Sequence, residues 1–283
     1  MPVYARLAAL AQALQSQYPT EEAQHLARLA LLEATGWSRT ELLLHNREAL
    51  PTQAATRLEA LAMRLLAGEP WQYITGQALF CGHTFAVGPG VLVPRPETEL
   101  LVERAAYLAE TGARVLDACT GSGCIALAMA LARPDTEVHA FDVSAEALAY
   151  ARRNQAALGA RVDLTQDDLL APSDSLLRQR FEVVVANPPY VPHAEAATMD
   201  AHVRVHEPAL ALFAPDADPL LFYRALEVLA RRILLPGGWL LAELHPPYAE
   251  ATQRLFASDT WIQSEILMDI HGRKRALQVR RKP

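Results

Sequence analysis

The feature that most constrains the fold of this chain is an alternation of short apolar runs and helical stretches from about residue 94 onward. The runs ARVLDAC, EVHAFDV, RVDLTQ, FEVVVAN and GGWLLAELH are short and apolar enough to be buried strands, and WIQSEILMDI and RKRALQVRR form a final pair. The stretches between them, such as IALAMALAR and DPLLFYRALEVLARRIL, carry apolar residues at helical spacing. Strands that alternate with helices predict an α/β fold with a mostly parallel sheet, covered by helices on both faces.

The first 76 residues predict a small, separate all-α domain. They are rich in Ala, Leu, Glu and Gln, and their apolar residues recur at helical spacing. Thr20 and Ser38 are predicted helix N-caps, and Gly36 is a predicted C-cap. The next stretch contains short apolar runs broken by glycines, which predict a β-hairpin linker. We therefore expect a helical domain at 1–76, a hairpin linker at 77–93 and an α/β domain at 94–283.

Composition and charge exclude several classes of protein. The chain has 283 residues, 51% hydrophobic and 20% charged, as is typical of globular proteins. Its net charge of -6 argues against a broad phosphate-binding surface, so we expect no direct nucleic-acid binding. No stretch resembles a signal peptide or is long enough to cross a bilayer. The three cysteines form no CxxC pair, which suits a reducing cytoplasm and indicates no metal site.

A glycine-containing turn joins the first predicted strand of the α/β domain to a helix, and it comprises Asp117, Ala118, Cys119, Thr120, Gly121, Ser122 and Gly123. Glycines let the backbone approach a ligand, and the helix N-terminus behind them favours polar or anionic groups. Asp142 ends the next predicted strand, 21 residues after Gly121, where its carboxylate can accept hydrogen bonds from ribose hydroxyls. These residues predict a cofactor that contains a nucleoside. The turn also fits the dinucleotide pattern GxGxxA, so the turn itself leaves NAD and S-adenosylmethionine open.

A second motif, Asn187-Pro188-Pro189-Tyr190, follows directly after the predicted strand FEVVV. The two prolines fix the backbone and donate no N–H, which leaves the carbonyl groups of the turn as outward acceptors. The Asn187 side chain adds another acceptor, and such a cluster suits a substrate –NH2 group. Tyr190 supplies a flat face for a planar group. The motif therefore predicts methyl transfer to a planar amide or amine nitrogen and favours S-adenosylmethionine over NAD.

An asparagine-proline-proline-tyrosine turn after a strand resembles the signature of amino-methyltransferases, which include adenine-N6 DNA methyltransferases and protein glutamine-N5 methyltransferases. Nearly the whole chain is similar to one branch, the peptide chain release factor glutamine methyltransferases (the HemK/PrmC family). The similar stretches are residues 93–103 (VPRPETELLVE), 120–123 (TGSG), 187–191 (NPPYV), 206–212 (HEPALAL), 221–224 (LFYR) and 269–275 (DIHGRKR).

The resemblance implies a Rossmann-like S-adenosylmethionine-dependent methyltransferase with a seven-stranded, mostly parallel sheet whose final strand is antiparallel. It implies transfer of a methyl group to the side-chain nitrogen of the glutamine in the Gly-Gly-Gln loop of class I release factors, leaving S-adenosylhomocysteine. The turn at 117–123 would hold the methionine part of the cofactor, Asp142 its ribose, and Asp167 or Asp168 its adenine. Asn187 and Pro188 would hold the amide –NH2 group, with Asn187 also beside the cofactor. The glutamine side chain would pack against Pro189 and Tyr190.

Other readings of the same motifs stay open at this point. A sister enzyme that methylates a glutamine of a ribosomal protein shares the motif, although HEPALAL and LFYR favour the release factor branch. An adenine-N6 nucleic-acid methyltransferase is less favoured, because the chain is acidic and lacks an obvious basic recognition region. We expect a monomer whose helical domain helps to dock the release factor.

The chain departs from the family pattern at several positions. Cys119 stands where the family usually has glycine, and Glu243-Leu244-His245 replaces the family's Glu-Ile-Gly, so no site role is carried over to that stretch. The basic C-terminal segment, with Arg273–Arg275 and Arg280–Lys282 as its charged ends, is predicted to be a solvated edge strand.

Overall fold

The computed structural model describes all 283 residues, which form two compact units. The first unit comprises Met1–Gly76 and Asp200–His206, and the second comprises Gln77–Met199 and Glu207–Pro283. None of the helices combines the length and the hydropathy needed to span a membrane.

In chain order the helices are α1 (Val3–Leu14), α2 (Thr20–Thr35), α3 (Arg39–Leu44), α4 (Thr52–Leu66), α5 (Trp71–Thr75), α6 (Glu99–Leu108), α7 (Cys124–Ala132), α8 (Ala145–Leu158), α9 (Asp174–Leu177), α10 (Ala201–His206), α11 (Ala209–Leu212), α12 (Leu221–Ile233) and α13 (Ala249–Leu255). The strands are β1 (Gln77–Phe80), β2 (His83–Ala86), β3 (Arg114–Ala118), β4 (Glu137–Asp142), β5 (Val162–Gln166), β6 (Phe181–Ala186), β7 (Val191–Pro192), β8 (Phe213–Ala214), β9 (Leu234–Glu243), β10 (Trp261–Met268) and β11 (Lys274–Arg281).

The first unit is a helical bundle made of α1 to α5 together with α10. Its apolar stripes bury leucines such as Leu14, Leu31 and Leu65 completely. Gly36 closes α2 in the left-handed conformation, and Ser38 forms a capping box with Glu41 at the start of α3, so both predicted caps are confirmed. Thr20 is not an N-cap as predicted, because the helix already begins at this residue and Pro19 occupies the capping position.

The second unit begins with the β1–β2 hairpin, in which Gln77 pairs with Ala86, as the glycine-broken runs predict. Its main sheet has seven strands in the order β10-β11-β9-β6-β3-β4-β5. Strands β3, β4, β5, β6 and β9 are mutually parallel, and β11 runs antiparallel to both of its neighbours. The Rossmann-like, mostly parallel sheet with one antiparallel strand is therefore confirmed.

Helices cover both faces of this sheet because its central strands are apolar on both sides. Val184 of β6 belongs to one buried cluster, while its neighbours Val183 and Val185 belong to the other. Successive residues of a strand point to opposite faces, so the two clusters lie on opposite sides of the sheet.

The predicted position of the basic C-terminal strand is wrong. Strand β11 lies between β9 and β10, and β10 is the edge strand. The reason is that Leu277 and Val279 alternate with Ala276 and Gln278, and all four side chains are buried, which requires covering on both faces. The basic residues therefore lie mainly at the two ends of the strand.

The parallel register brings the ends of four strands to one edge of the sheet. Ala118 at the end of β3 pairs with Phe141 on one side and Ala186 on the other. Ala186 in turn pairs with Ala242 of β9. The residues that follow these strand positions therefore meet at the carboxyl edge, where ligands bind in open α/β sheets.

Candidate active site

Asp117 organises the glycine-containing turn from within the protein. Its side chain is buried, and its Oδ2 accepts hydrogen bonds from the Thr120 hydroxyl at 2.6 Å and the Ala126 backbone N–H at 3.2 Å. Its Oδ1 is buried without a partner. Burial raises the pKa of Asp117 to about 7, although the hydrogen bonds from Thr120 and Ala126 oppose the shift.

Cys119 has a φ of 61°, in the left-handed region that residues with a side chain rarely adopt. A glycine would fit this position without strain, and the cysteine shows that the turn nevertheless closes with a Cβ present. Burial, reinforced by the nearby carboxylates of Asp142, Asp117 and Asp168, raises the pKa of the Cys119 thiol well above its usual value.

Glycine is favoured at two positions of the turn for different structural reasons. Gly121 adopts a φ of 56°, and its N–H donates to Asp142 Oδ2 at 2.8 Å, which ties the turn to the end of β4. Gly123 caps α7 with a φ of 80°, and a Cβ there would lie 3.0 Å from a Leu127 methyl carbon and 3.1 Å from the Ala151 Cβ. Glycine is therefore required at position 123 both for its backbone angle and for close packing.

The Asn187-Pro-Pro-Tyr turn leaves two acceptors without partners. The Asn187 side chain makes no hydrogen bond to another protein group, and the Pro188 carbonyl oxygen accepts none. Asn187 follows β6 directly, so it lies beside the glycine-containing turn that follows β3. An unpaired side-chain amide oxygen, followed in the chain by an unpaired carbonyl oxygen, suits a ligand that donates two N–H bonds.

Tyr190 is held from two directions. Its hydroxyl donates to Glu243 Oε1 at 2.9 Å, and its ring stacks on His245 with 5.7 Å between ring centroids. His245 Nε2 is 2.8 Å from Glu195 Oε2. Burial raises the pKa of the Tyr190 hydroxyl well above its usual value, and the Glu243 carboxylate adds to this shift. The tyrosine is therefore a neutral hydrogen-bond donor.

A cavity of about 330 Å³ opens at this edge of the sheet, within the range of about 300–1,000 Å³ that is typical of small-molecule sites. The predicted site residues that line it are Cys119, Thr120, Gly121, Ser122, Asp142, Asp168, Asn187 and Pro189. The predicted residues that do not line it are Asp117, Gly123, Asp167, Pro188 and Tyr190.

The two consecutive acids after β5 have different surroundings. Asp167 accepts hydrogen bonds from the Ser173 backbone at 2.9 Å and the Ser173 hydroxyl at 2.5 Å, so its carboxylate shapes the loop. Asp168 lines the cavity next to Leu169. Of the pair, only Asp168 is available to a ligand there.

Sequence reasoning missed two further walls of the cavity. One wall comes from the loop after the hairpin and the other from the segment that leads into α11; their members are Gly90, Val91, Leu92, Pro94, Arg95, Pro208, Ala209, Leu210 and Ala211. Pro94 and Arg95 of the first wall, and the whole of the second, lie in stretches that resemble the family, and this resemblance is the signal that could have found them. Glu207 joins the two walls, because its buried carboxylate accepts from the Val93 N–H at 3.0 Å and from Arg95 Nη2 at 2.6 Å.

The charges around the cavity favour a cationic nucleoside ligand. Asp142, Glu146 and Asp168 line it, whereas its one cationic side chain, Arg95, is paired with Glu207. Such surroundings are unfavourable for the pyrophosphate of NAD and favourable for ribose hydroxyls and positive groups. Phe141 and Leu169 provide apolar surface for a flat base.

Two stretches of the chain match known protein families. Residues 6–76 match the family model described as PrmC N-terminal domain, and residues 93–215 match the one described as Methyltransferase small domain. Release factor glutamine methyltransferase from Bacteroides thetaiotaomicron is 39% identical, covering 95% of this chain and 97% of that protein. The proteins of the same name from Chlorobaculum tepidum (91% and 90% covered) and Geobacter sulfurreducens (92% of each chain covered) are both 38% identical. The chain belongs to the release factor glutamine methyltransferase family.

Solved structures share the fold of this methyltransferase. A methyltransferase from Pyrococcus furiosus has a TM-score of 0.54 and 19% identity, covering 78% of this chain and 98% of that one. The 16S rRNA N2 G1207 methyltransferase of T. thermophilus, solved in complex with AdoMet and guanosine, has a TM-score of 0.50 and 20% identity over 73% of this chain and 50% of that one. At these identities the likeness concerns the fold alone.

A methyltransferase of this class uses S-adenosylmethionine, and the cavity fits that cofactor. Carboxylates suit its ribose hydroxyls and its positive charges, and the apolar side chains suit its adenine. The cofactor predicted from the Asn-Pro-Pro-Tyr motif is therefore confirmed, and NAD is not.

Proposed function

We propose that this methyltransferase methylates the side-chain amide nitrogen of the glutamine in the Gly-Gly-Gln loop of class I peptide chain release factors. The observation that carries the proposal is the unpaired side chain of Asn187, which lines a cavity suited to S-adenosylmethionine and is followed directly by the unpaired carbonyl oxygen of Pro188. A primary amide has two N–H groups, which match two acceptors in one rigid turn. The names of the relatives, which identify release factor glutamine methyltransferases, support the same substrate.

The residues of the chain act by orientation and by electrostatics. S-adenosylmethionine, when bound, supplies an electrophilic methyl group. Asn187 and Pro188 accept the two N–H bonds of the amide, which raises the electron density of its nitrogen and fixes its direction of attack. As the carbon–nitrogen bond forms, the bond between the methyl carbon and the sulfonium sulfur would break to leave S-adenosylhomocysteine, and one N–H proton would pass to solvent. No covalent enzyme intermediate is required.

We assign the remaining site residues as follows. Residues 119–122 hold the methionine part of the cofactor, Asp142 its ribose, and Asp168 with Leu169 its adenine. Asp117, Gly123 and Asp167 act through the turn and the loop that they shape. Pro189 and Tyr190 border the glutamine side chain.

The helical unit has a proposed role in docking the release factor. We further propose that the enzyme acts as a monomer. A substrate that works in translation implies action in the cytoplasm.

Mass spectrometry of a recombinant release factor, after incubation with the enzyme and S-adenosylmethionine, tests the proposal. We expect a gain of one methyl group on the loop glutamine. A release factor with Gln→Glu at that position should gain none. Asn187→Ala should lower the rate by at least about 100-fold, because one of the two acceptors is lost. Calorimetric titration with S-adenosylmethionine shows whether that variant still binds the cofactor.

An unmodified release factor, despite measured cofactor binding by the wild-type enzyme, would contradict the proposal. Methylation of a ribosomal-protein glutamine in a parallel incubation would identify the sister activity instead. Methylation of adenine in DNA or RNA would instead identify the chain as an adenine-N6 nucleic-acid methyltransferase.

A further inference from the structure

Glu243 is a buried carboxylate at the end of β9, and no role follows for it from the motifs of the sequence. It is 4% exposed. Because Ala242 pairs with Ala186 in parallel register, Glu243 and Asn187 occupy equivalent positions at the ends of neighbouring strands. Glu243 therefore lies beside the base of the Asn-Pro-Pro-Tyr turn.

Each oxygen of this carboxylate accepts one side-chain hydroxyl. Oε1 accepts from Tyr190 at 2.9 Å, and Oε2 accepts from Thr98 at 2.5 Å. Thr98 lines the cofactor cavity, and Tyr190 ends the turn that presents Asn187. One side chain thus joins the cavity wall to the turn that binds the acceptor amide.

The backbone of Glu243 is also fixed. Its carbonyl oxygen accepts from the Tyr223 hydroxyl at 3.0 Å, and that hydroxyl accepts from the His245 N–H at 3.0 Å. Burial raises the pKa of the Glu243 carboxyl, while the Thr98 and Tyr190 hydrogen bonds and the charge of Arg275 act in the opposite direction. A carboxylate held at both its backbone and its side chain is a rigid point of attachment.

We propose that Glu243 is a positioning residue for methyl transfer, which anchors Tyr190 and thereby fixes the Asn187-Pro-Pro-Tyr turn against the cofactor cavity. This inference rests on the proposed function. Burying a carboxylate is unfavourable, and an apolar side chain at position 243 could fill the same volume without that penalty. The charge therefore indicates a need for directed hydrogen bonds.

A double-mutant cycle on Glu243→Gln and Tyr190→Phe tests the assignment. Both changes keep the shape of the side chain and weaken the same hydrogen bond. We expect each single variant to lower kcat about tenfold, because the turn is displaced, with KM for the release factor and the Kd for S-adenosylmethionine within about twofold. The double variant should be no slower than the slower single variant, because both changes disturb one contact.

Glu250→Gln is the matched control, since Glu250 forms an exposed ion pair with Lys274. Its kcat should equal that of the wild type. Losses in kcat that multiply in the double variant, to about 100-fold, would overturn the proposal. So would a Glu243→Gln enzyme that melts at a lower temperature but keeps the wild-type kcat.

The same cycle, measured on the free energy of unfolding, separates this inference from the function on which it rests. A wild-type enzyme that methylates no release factor refutes the proposed function. Coupling between positions 190 and 243 in the unfolding data would then still support the anchoring contact, and additive effects there would refute it.

Discussion

The carboxylate of Asp142 accepts a 2.8 Å hydrogen bond from the backbone N–H of Gly121. Its other oxygen accepts from the Ser144 N–H at 2.9 Å. One side chain therefore connects the end of β4 to the glycine-containing turn and to the start of α8. Each oxygen keeps a further lone pair, and Asp142 lines the cavity, so these lone pairs are available to ribose hydroxyls.

Asp142→Asn should weaken S-adenosylmethionine binding by at least about tenfold. The amide has one oxygen for two backbone donors, and its nitrogen cannot accept from a ribose hydroxyl, so hydrogen bonds worth about 1.5–3 kcal/mol are lost. Calorimetric titration gives the Kd. Asp163→Asn is the matched control, because Asp163 lies on neighbouring β5 with a largely exposed side chain. Equal Kd values for the two variants would show that Asp142 does not contact the ribose.

Gly123→Ala should destabilise the protein more than Gly112→Ala. Both glycines have a φ near 80°, so both substitutions carry a strain of about 1 kcal/mol. A Cβ at Gly112 meets nothing within 4 Å, whereas a Cβ at Gly123 lies 3.0 Å from Leu127 and 3.1 Å from Ala151. Overpacking adds about 1–3 kcal/mol at Gly123 alone. Urea unfolding of the two variants measures the difference, and equal losses would mean that α7 and α8 move apart freely.

Cys119→Gly should be more stable than Cys119→Ala by about 1 kcal/mol. Both variants lose the sulfur atom, but only alanine keeps a Cβ in the left-handed conformation at a φ of 61°. The comparison therefore isolates the backbone strain that the cysteine introduces. Thermal and urea unfolding measure this difference in stability between the two variants. An alanine variant at least as stable as the glycine variant would show that the turn relaxes.

The site residues that the sequence could predict are those whose positions are determined by the strands of the sheet. Asp117, Gly121, Asp142 and Asn187 all stand at the ends of apolar strands, and parallel pairing forces such ends to one edge. Helix α8 was equally predictable, because Ser144 caps it and Gly159 ends it in the left-handed conformation. Local patterns determine these features.

The parts that were missed depend on contacts between distant segments. Glu207 meets Arg95 across 112 positions of sequence, and Glu243 meets Tyr190 across 53. Likewise, no periodicity decides which of Asp167 and Asp168 lines the cavity, because the Ser173 contact that occupies Asp167 depends on the path of the loop. Such contacts follow from the folded loops and not from local propensity.

Arg95→Met should destabilise the protein more than Glu207→Gln. The Glu207 side chain is 1% exposed and the Arg95 side chain 33% exposed. Removing the cation leaves a buried carboxylate with only the Val93 N–H as partner, whereas the glutamine variant leaves a partly solvated arginine. We expect a loss of about 3 kcal/mol for the first variant and about half of that for the second. Urea unfolding at neutral pH ranks them, and the reverse order would mean that water reaches Glu207.

Asp117 should make the stability of the cofactor-free enzyme depend on pH. Its folded pKa is about 7, above the ordinary value of 3.8, so the folded state holds the proton more tightly than the unfolded state. Between about pH 4 and pH 7 unfolding releases this proton. The contribution of Asp117 to the free energy of unfolding is therefore greatest below pH 4. It falls as the pH rises, by a total on the order of 4 kcal/mol.

Asp117→Asn tests this dependence, because the amide cannot ionise and its oxygen can still accept from Thr120 and Ala126. Burial also raises the pKa of Asp142 and Glu243, so the wild-type curve contains their contributions, and the difference between the two curves isolates Asp117. We expect the advantage of the wild type over the variant to shrink from about pH 4 to about pH 7 in urea unfolding and to level off at higher pH. Parallel curves would mean that Asp117 stays ionised throughout, with water or a cation on its Oδ1.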